Sequence, residues 1–304
     1  MKKVLFVFLL LSTIFTSKAQ YTDIINSKRP GFSESPYGIG TDVFQFETGL
    51  IYRDSDNEAY LASTKSIGGE LFFRYGKFFE RLEMNAKIAY QKDELNGLID
   101  NINTYGISEL TIGAKYLIYQ QEYTDKSKEI RSWKRRMAFD KKRLIPSVGI
   151  YAGLNTNFLG EDYKDEGISY KAAILLQNDF TDRLILLTNL IADKISSENE
   201  FYAHIITLTY AVTREWSFFV ENQGNYKDTE SPQFQFGIGA AYLYSRNLQF
   251  DASIRTNMFD DYNTMYGALG VAWRLDRHSD EIINKSSPRG QLMKKKRKKK
   301  FLFF

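Results

Sequence analysis

The chain has 304 residues, including 20 tyrosines, 23 phenylalanines and no cysteine, and its mean hydropathy is negative. Without cysteine it forms neither disulfides nor thiolate metal sites, and with two histidines, His204 and His278, we expect no histidine-based metal site. The net charge of +4 sits at the termini, because three lysines in residues 1–19 and seven basic residues at 294–300 leave −6 for the body. A mildly acidic body argues against nucleic-acid binding, and no motif indicates a cofactor.

Residues 1–19 have the pattern of a cleaved secretory signal peptide. Two lysines precede a mostly apolar core over residues 4–15, and Ser17 and Ala19 are the small residues expected before a cut after Ala19; a cut after Gln20 also fits. The core is too short for a membrane helix, and no later stretch approaches the roughly 18 continuous apolar residues that a spanning helix needs. We therefore expect an exported chain, located in the periplasm, in the medium or in an outer membrane.

The segment 20–41 that follows is rich in turn-forming residues. Its part SKRPGFSESPYGIG (27–40) holds two prolines and three glycines, which exclude a helix or a central strand. Two interpretations stay open: a periplasmic leader into the first strand, or a plug tucked into the lumen of a barrel, where Arg29 and Glu34 would pair with wall charges. The candidate plug residues are Arg29, Pro30, Ser33, Glu34, Ser35 and Pro36.

Apolar and polar residues then alternate with a period of two over most of the chain. In ERLEMNAKIAYQ (80–91), for example, Leu82 and Met84 alternate with Arg81 and Glu83. A period of two predicts strands with one dry face and one wet face. About twelve such strands of roughly ten residues each follow one another, near residues 44–52, 67–75, 82–90, 110–118, 148–154, 170–177, 184–190, 206–212, 216–220, 234–242, 248–254 and 265–273.

The connections between these strands sort by side. With an even strand count both termini lie on one side; connections on the opposite side, such as 53–65 and 92–106, are then long and polar, whereas 178–182 and 244–247 on the terminal side are tight. Tyrosines and tryptophans also gather near both ends of the strands. Both patterns are typical of membrane barrels and not of soluble sandwiches. The sequence therefore predicts an all-β fold, a closed antiparallel transmembrane β-barrel of about twelve strands over residues 42–276, in the outer membrane.

The wet faces of the strands would line the lumen and the dry faces would contact lipid. Within a bilayer, a sheet must close on itself so that the N–H and C=O groups of every strand find hydrogen-bond partners. Charges of both signs lie on the wet faces, so they offer partners for a plug. The alternation assigns these side chains to the lumen: Gln45, Glu47, Glu70, Arg74, Arg81, Glu83, Asn85, Lys87, Glu109, Lys115, Asp251 and Arg255.

Two further regions are strongly charged. In the insertion 120–142, Ile130, Trp133 and Met137 form a helical stripe flanked by basic residues, which fits an amphipathic helix on the membrane or a solvated extension of two strands. Residues 277–304 contain the run KKKRKKK, and we expect a disordered basic tail that touches anionic polymer or lipid. Export argues against nucleic acid as the partner of this tail.

The stretch RPGFSESP, followed by VFQFETGLIY, resembles the start of a known family, the meta-pathway of phenol degradation family of Gram-negative outer-membrane barrels. Members open with Arg-Pro, then Thr/Ser-Glu-Ser/Thr-Pro, then a first strand of the type Phe-Gln-Phe/Leu-Glu. The signal ending in Ala-Gln is similar to that of secreted Bacteroidetes proteins. The resemblance implies an outer-membrane location and passage of small, aromatic or hydrophobic molecules. The matching residues here are Arg29, Pro30, Ser33, Glu34, Ser35, Pro36, Phe44, Gln45, Phe46 and Glu47.

These patterns lead us to expect a passive channel or uptake protein for small molecules, with selectivity supplied by the lumen charges. Its partners would be outer-membrane lipid, a small-molecule solute and the barrel-assembly machinery. One alternative is a barrel with a blocked lumen that serves as a structural or surface-binding protein through its loops. Another is a lipid hydrolase using His204; parity points this histidine to lipid and no nucleophile adjoins it in sequence, so we do not expect an enzyme.

Overall fold

The structure, a computed structural model, describes residues 24–57, 62–77, 79–97, 101–123, 132–133, 139–164, 167–228, 231–257, 262–277, 282–283 and 292–293. Within these residues, no helix is long and apolar enough to cross a membrane. Short 3-10 turns occur at Lys141–Leu144 and Glu161–Tyr163. The long strands are β1 Val43–Asn57, β2 Ala62–Gly76, β3 Leu82–Asn96, β4 Asn101–Tyr119, β5 Ser147–Asn155, β6 Ser169–Asp179, β7 Leu184–Ile195, β8 Phe201–Ala211, β9 Trp216–Tyr226, β10 Gln233–Ser245, β11 Leu248–Asn257 and β12 Tyr262–Asp276.

The twelve strands form one closed antiparallel barrel. Each strand pairs with the next along the chain, and β1 closes the sheet by pairing with β12, from Val43 opposite Asp276 to Asn57 opposite Tyr262. Closure pairs both edges of every strand, as a bilayer demands. The predicted fold class is thereby confirmed. We call the end with Val43 and Asp276 the terminal rim and the opposite end the loop rim.

Burial in this barrel is the reverse of burial in a soluble protein. The largest side chains removed from solvent include Arg74, Arg255, Arg274 and Lys115, which point inward and are at most 2% exposed. Outward-facing aliphatic side chains are exposed, with Leu50 at 71%. An apolar outer face of this extent is stable only against acyl chains.

Aromatic side chains pack together on the outer face near the terminal rim. Phe46 stacks on Trp273 with ring centroids 5.7 Å apart, and Trp216 contacts Tyr242 at 4.8 Å. Rings with one polar atom suit the boundary between acyl chains and water. Their position therefore marks one membrane interface.

The strands extend further toward the loop rim than the sequence predicts. Of residues 53–65, expected to be a loop, the described ones, 53–57 and 62–65, are strand, and Arg53 pairs with Ser66. The same holds for most of 92–106. Most residues on both faces of these strand ends are polar, with exceptions such as Leu95, Ile102 and Tyr105, so the alternation is lost although backbone pairing continues. The difference in connection length between the loop rim and the terminal rim is consequently smaller than predicted.

Several predicted regions lie outside the described residues. They are the signal peptide 1–19, most of the helical stripe in the insertion 120–142, and most of the basic tail 277–304. Within the tail the structure describes one short antiparallel pair, β13 Ile282–Ile283 with β14 Leu292–Met293.

Candidate functional site

Residues 24–42, which we call the lumen segment, lie inside the barrel. The N–H of Phe32 donates a hydrogen bond to Glu221 on β9, 3.0 Å from its Oε2. The Tyr37 hydroxyl bonds the Ser147 hydroxyl on β5 at 2.7 Å. These two wall strands are far apart around the barrel, so one short segment reaches both only from within the lumen.

The lumen segment enters and leaves the barrel at the terminal rim. The N–H of Ile25 donates to the carbonyl of Arg246 in the β10–β11 turn at 2.9 Å. The chain then rises to Phe32, whose ring centroid lies 5.4 Å from that of Tyr266 on β12. From there it returns to the terminal rim and joins β1 at Val43. The segment is therefore a U with an ascending arm, a bend and a descending arm.

Arg29 fixes the ascending arm. Its guanidinium forms ion pairs with Glu70 on β2 and with Asp251 on β11, the latter 3.3 Å from Nε. The group occupies a slot between two glycines, because a Cβ added at either Gly49 or Gly270 would lie 2.2 Å from a guanidinium nitrogen. Glycine at both wall positions therefore leaves the space that the guanidinium of Arg29 occupies.

Nearer the terminal rim, a charged network joins three wall strands to the backbone of the segment. Arg74 on β2 donates two hydrogen bonds to Glu83 on β3, at 2.7 and 2.9 Å, and one to Glu47 on β1 at 3.1 Å. Glu47 also accepts from the Ser27 hydroxyl at 2.9 Å and from the N–H of Lys28 at 3.0 Å. Bidentate, charge-assisted bonds of this kind offset the cost of burying the ions.

Glu34 fixes the descending arm. Its carboxylate accepts a hydrogen bond from Nζ of Lys115 on β4 at 3.0 Å, and its backbone N–H and C=O both bond the side chain of Asn189 on β7. Burial alone would raise the pKa of Glu34, but the ammonium groups of Lys115 and Lys28 outweigh burial and lower it. The carboxylate is therefore ionised at neutral pH.

Arg255 on β11 holds the bend of the U. Its guanidinium lies over the ring of Phe32, 3.5 Å from the centroid. Its Nε donates to Glu221 at 3.1 Å, and its Nη2 donates to the carbonyl of Pro30 at 3.0 Å. A cation–π contact removed from water contributes about 2 kcal/mol, so the bend is held by the ring as well as by hydrogen bonds.

On the loop-rim side of the segment, the lumen widens into a cavity of about 200 Å³ that continues into a wider space of about 470 Å³. Two ion pairs, Lys87–Glu109 and Lys171–Asp193, line both spaces. The segment forms the floor of the deeper cavity. Its β6–β8 wall also carries an apolar patch, formed by Ala173, Leu175, Ile191, Ala203 and Ile205.

The other residues predicted for the site also make contacts on the inner side of the barrel. Each of them is buried. Ser33 and Gln45 are buried, the Ser35 hydroxyl donates to Gln177 at 2.7 Å, Pro36 lies against Gly149, Arg81 donates to the carbonyl of Ile118 at 3.3 Å, and Asn85 accepts from Tyr151 at 3.3 Å.

Among the residues of the site that the prediction from sequence missed are five polar or charged ones. Asn189 and Glu221 lie on the wet faces of their strands, so parity could have identified them, and Lys28 adjoins Arg29. Lys171 and Asp193 lie on β6 and β7, which are apolar on both faces over much of their length. On these two strands the alternation pattern therefore does not show which face points into the lumen.

Comparison with known proteins agrees with this architecture. A family model described as "Putative MetA-pathway of phenol degradation" matches residues 27–275. The crystal structure of the COG4313 outer membrane channel from Pseudomonas putida F1 is similar with a TM-score of 0.59 at 10% identity, covering 82% of this chain and 100% of that one. The KdgM porin in complex with disordered oligogalacturonate matches at a TM-score of 0.47 and 10% identity, covering 75% and 99%.

The CymD monoaromatic hydrocarbon channel matches at a TM-score of 0.42 and 9% identity, covering 78% of this chain and 89% of that one. No curated protein matches the chain. The family match spans most of the sequence, and the fold is similar to that of the COG4313 outer membrane channel. The chain belongs to the MetA-pathway of phenol degradation family and is a twelve-stranded barrel of the outer membrane.

Proposed function

We propose that this protein is a passive channel through which small, aromatic or hydrophobic molecules enter the cell, and that the lumen segment is its plug. The observation that carries the proposal is the cavity that opens toward the loop rim and ends on the lumen segment. Charged side chains that line a pore decide which solutes pass. The barrel moves solutes down their concentration gradient.

The contacts of the lumen segment are those of a removable plug. Arg29, Glu34 and Arg255 hold it by charge-assisted hydrogen bonds, each of which contributes about 1.5–3 kcal/mol. Water can replace such bonds when the segment moves, because the wall facing it is polar. Displacement would therefore open the lumen without unfolding the barrel.

Conductance tests the proposal directly. The mature full-length chain in a planar bilayer should give discrete conductance steps. Deletion of residues 21–38, which removes most of the U and keeps the lead into β1, should raise the conductance of each step. The control is Lys92→Gln, which breaks the exposed Lys92–Glu94 pair within β3, outside the lumen segment, and should leave the steps unchanged.

A bilayer that stays silent with both the full-length chain and the deletion would contradict the channel. That result would favour the second candidate, a barrel with a blocked lumen that acts as a structural or surface-binding protein through its loop-rim connections. The long polar strand ends beyond the apolar belt favour this candidate as the alternative.

We also propose that the outer face contacts outer-membrane lipid, that the barrel-assembly machinery inserts the chain, and that the protein is not an enzyme. His204 lies on the outward face of β8, with Nε2 3.0 Å from Asn222 Oδ1 and Nδ1 3.1 Å from the Tyr226 hydroxyl. Both ring nitrogens are thus engaged. A catalytic histidine needs one nitrogen directed at a nucleophile or a water.

A further inference from the structure

One cation of the cavity beside the lumen segment, Lys28, lies beyond hydrogen-bonding distance of the carboxylate with which it pairs. Nζ of Lys28 lies 3.6 Å from Glu34 Oε2, which is too long for a hydrogen bond, and 5.1 Å from the ring centroid of Phe72. The other lysines of this cavity are closely paired, since Lys87 donates to Glu109 at 2.7 Å and Lys171 donates to Asp193.

The carboxylates of the cavity, in contrast, already accept strong hydrogen bonds. Glu34 accepts from Lys115, and Glu47 accepts from Arg74 and Ser27. Within the described contacts, a charged group of the cavity that has unused hydrogen-bonding capacity is therefore the ammonium group of Lys28, and the amide oxygen of Gln223 is an unused neutral acceptor in the wall. Burial lowers the pKa of Lys28, as expected for an ammonium group whose counter-ion is not within bonding distance.

We propose that this cavity binds amphiphilic monocarboxylates, with the carboxylate accepting hydrogen bonds from Lys28 Nζ and the apolar body packing against β6–β8. The packing surface is the wall of Ala173, Leu175, Ile191, Ala203 and Ile205. A cavity of about 150 Å³ is enough to bind benzene, so about 200 Å³ admits one ring bearing a carboxylate. This inference rests on the proposed channel and names the class of its solute.

Calorimetric titration of the mature full-length chain in detergent tests the site with three probes. Benzoate carries both features, benzyl alcohol has the ring without the charge, and acetate has the charge without the ring. We expect benzoate to bind about tenfold more tightly than either, because only benzoate uses the ammonium group and the apolar wall together.

Two variants locate the interaction. Lys28→Gln should remove the preference for benzoate over benzyl alcohol while leaving benzyl alcohol binding unchanged. Leu175→Asn should weaken both ring compounds. Lys92→Gln, which alters an exposed lysine paired with Glu94 on β3, is the control and should keep the preference. The gel shift on boiling shows that each variant is folded.

Equal affinity of the full-length chain for benzoate and benzyl alcohol, or a preference that survives in Lys28→Gln, would overturn the site. Conductance recorded in the absence of the three probes tests the channel independently of the carboxylate site. A chain that conducts but shows no preference refutes only the carboxylate site. A silent chain that binds benzoate selectively through Lys28 refutes the channel and leaves a binding barrel.

Discussion

Lys115 on β4 and Glu34 in the lumen segment form a buried ion pair, with Nζ 3.0 Å from Oε1 and neither side chain more than 9% exposed. The same ammonium group lies 3.4 Å from Glu83, which Arg74 also holds. Loss of Lys115 therefore deprives Glu34 of its hydrogen-bonding cation while Glu83 keeps a partner. The segment can be loosened at this point without dismantling the wall.

Replacing Lys115 with methionine should loosen the descending arm. An uncompensated buried carboxylate costs about 3 kcal/mol, which the chain avoids by moving Glu34 toward water. We expect more frequent transitions to a higher conductance level in single-channel recordings. Lys92→Gln, at an exposed pair outside the lumen segment, is the control. Recordings of Lys115→Met that match the parent chain would show that this pair does not hold the plug.

Replacing Gly270 with alanine should expel Arg29 from its slot. The new Cβ would lie 2.2 Å from Nε of Arg29, so the guanidinium would lose Glu70 and Asp251. Conductance should rise as it does in the deletion of 21–38. Gly267→Ala on the same strand is the matched control, because nothing lies within 4 Å of its added Cβ. An equal response of the two variants would refute the slot.

Acid should loosen the plug through Glu34. Since its pKa is lowered in the folded protein, its stabilising contribution is complete above the ordinary value of 4.5 and is lost as the pH falls through the lower, folded value. The part of the current fluctuations that depends on Glu34 should stay constant from about pH 7 to 5 and increase below about 4. Because other lumen carboxylates also titrate, the quantity to compare is the difference between the parent chain and Glu34→Gln. A difference that does not change with pH would refute this role.

The intact barrel should resist detergent until it is heated. Every strand is paired on both edges, so unfolding requires the whole sheet to open. The unboiled mature chain should migrate faster on a gel containing dodecyl sulfate than the boiled chain does. Mature protein that remains soluble and monomeric without detergent would contradict the membrane barrel.

His204→Ala should lower stability slightly and leave conductance unchanged. The variant loses hydrogen bonds to Asn222 and Tyr226, each contributing about 1 kcal/mol. Tyr226→Phe removes one of the two and should show a smaller drop in the temperature of the gel shift. Phospholipid hydrolysis by the parent chain that disappears in His204→Ala would instead establish the hydrolase alternative.

Parity along the strands predicted much of the wall. Glu47, Arg74 and Glu83 lie on wet faces opposite clearly apolar ones, so their inward direction follows from the period of two. The turn-rich composition of residues 27–40 likewise excluded a strand or helix there. The period of two and the turn-rich composition are properties of short segments, so they can be recognised in a single sequence.

The path of the lumen segment could not be predicted in the same way. Its course depends on which side chains the closed sheet brings together, and Arg29 and Asp251 are separated by 222 positions. The apolar cavity wall was missed for another reason. On β6 and β7 both faces are apolar, so the sequence looks alike whether a leucine meets lipid or the lumen.

The order of the contacts has a consequence for biogenesis. The lumen segment is synthesised before any strand, yet Asp251 and Arg255, which hold Arg29 and Phe32, belong to the eleventh strand. A chain interrupted before that strand lacks the contacts of Arg255 with Phe32 and Pro30, and keeps at the bend only the backbone hydrogen bonds to Glu221 on β9. The lumen segment can therefore reach its final position only when the sheet is nearly closed. A completed barrel thus has its lumen occupied from the last steps of its own assembly.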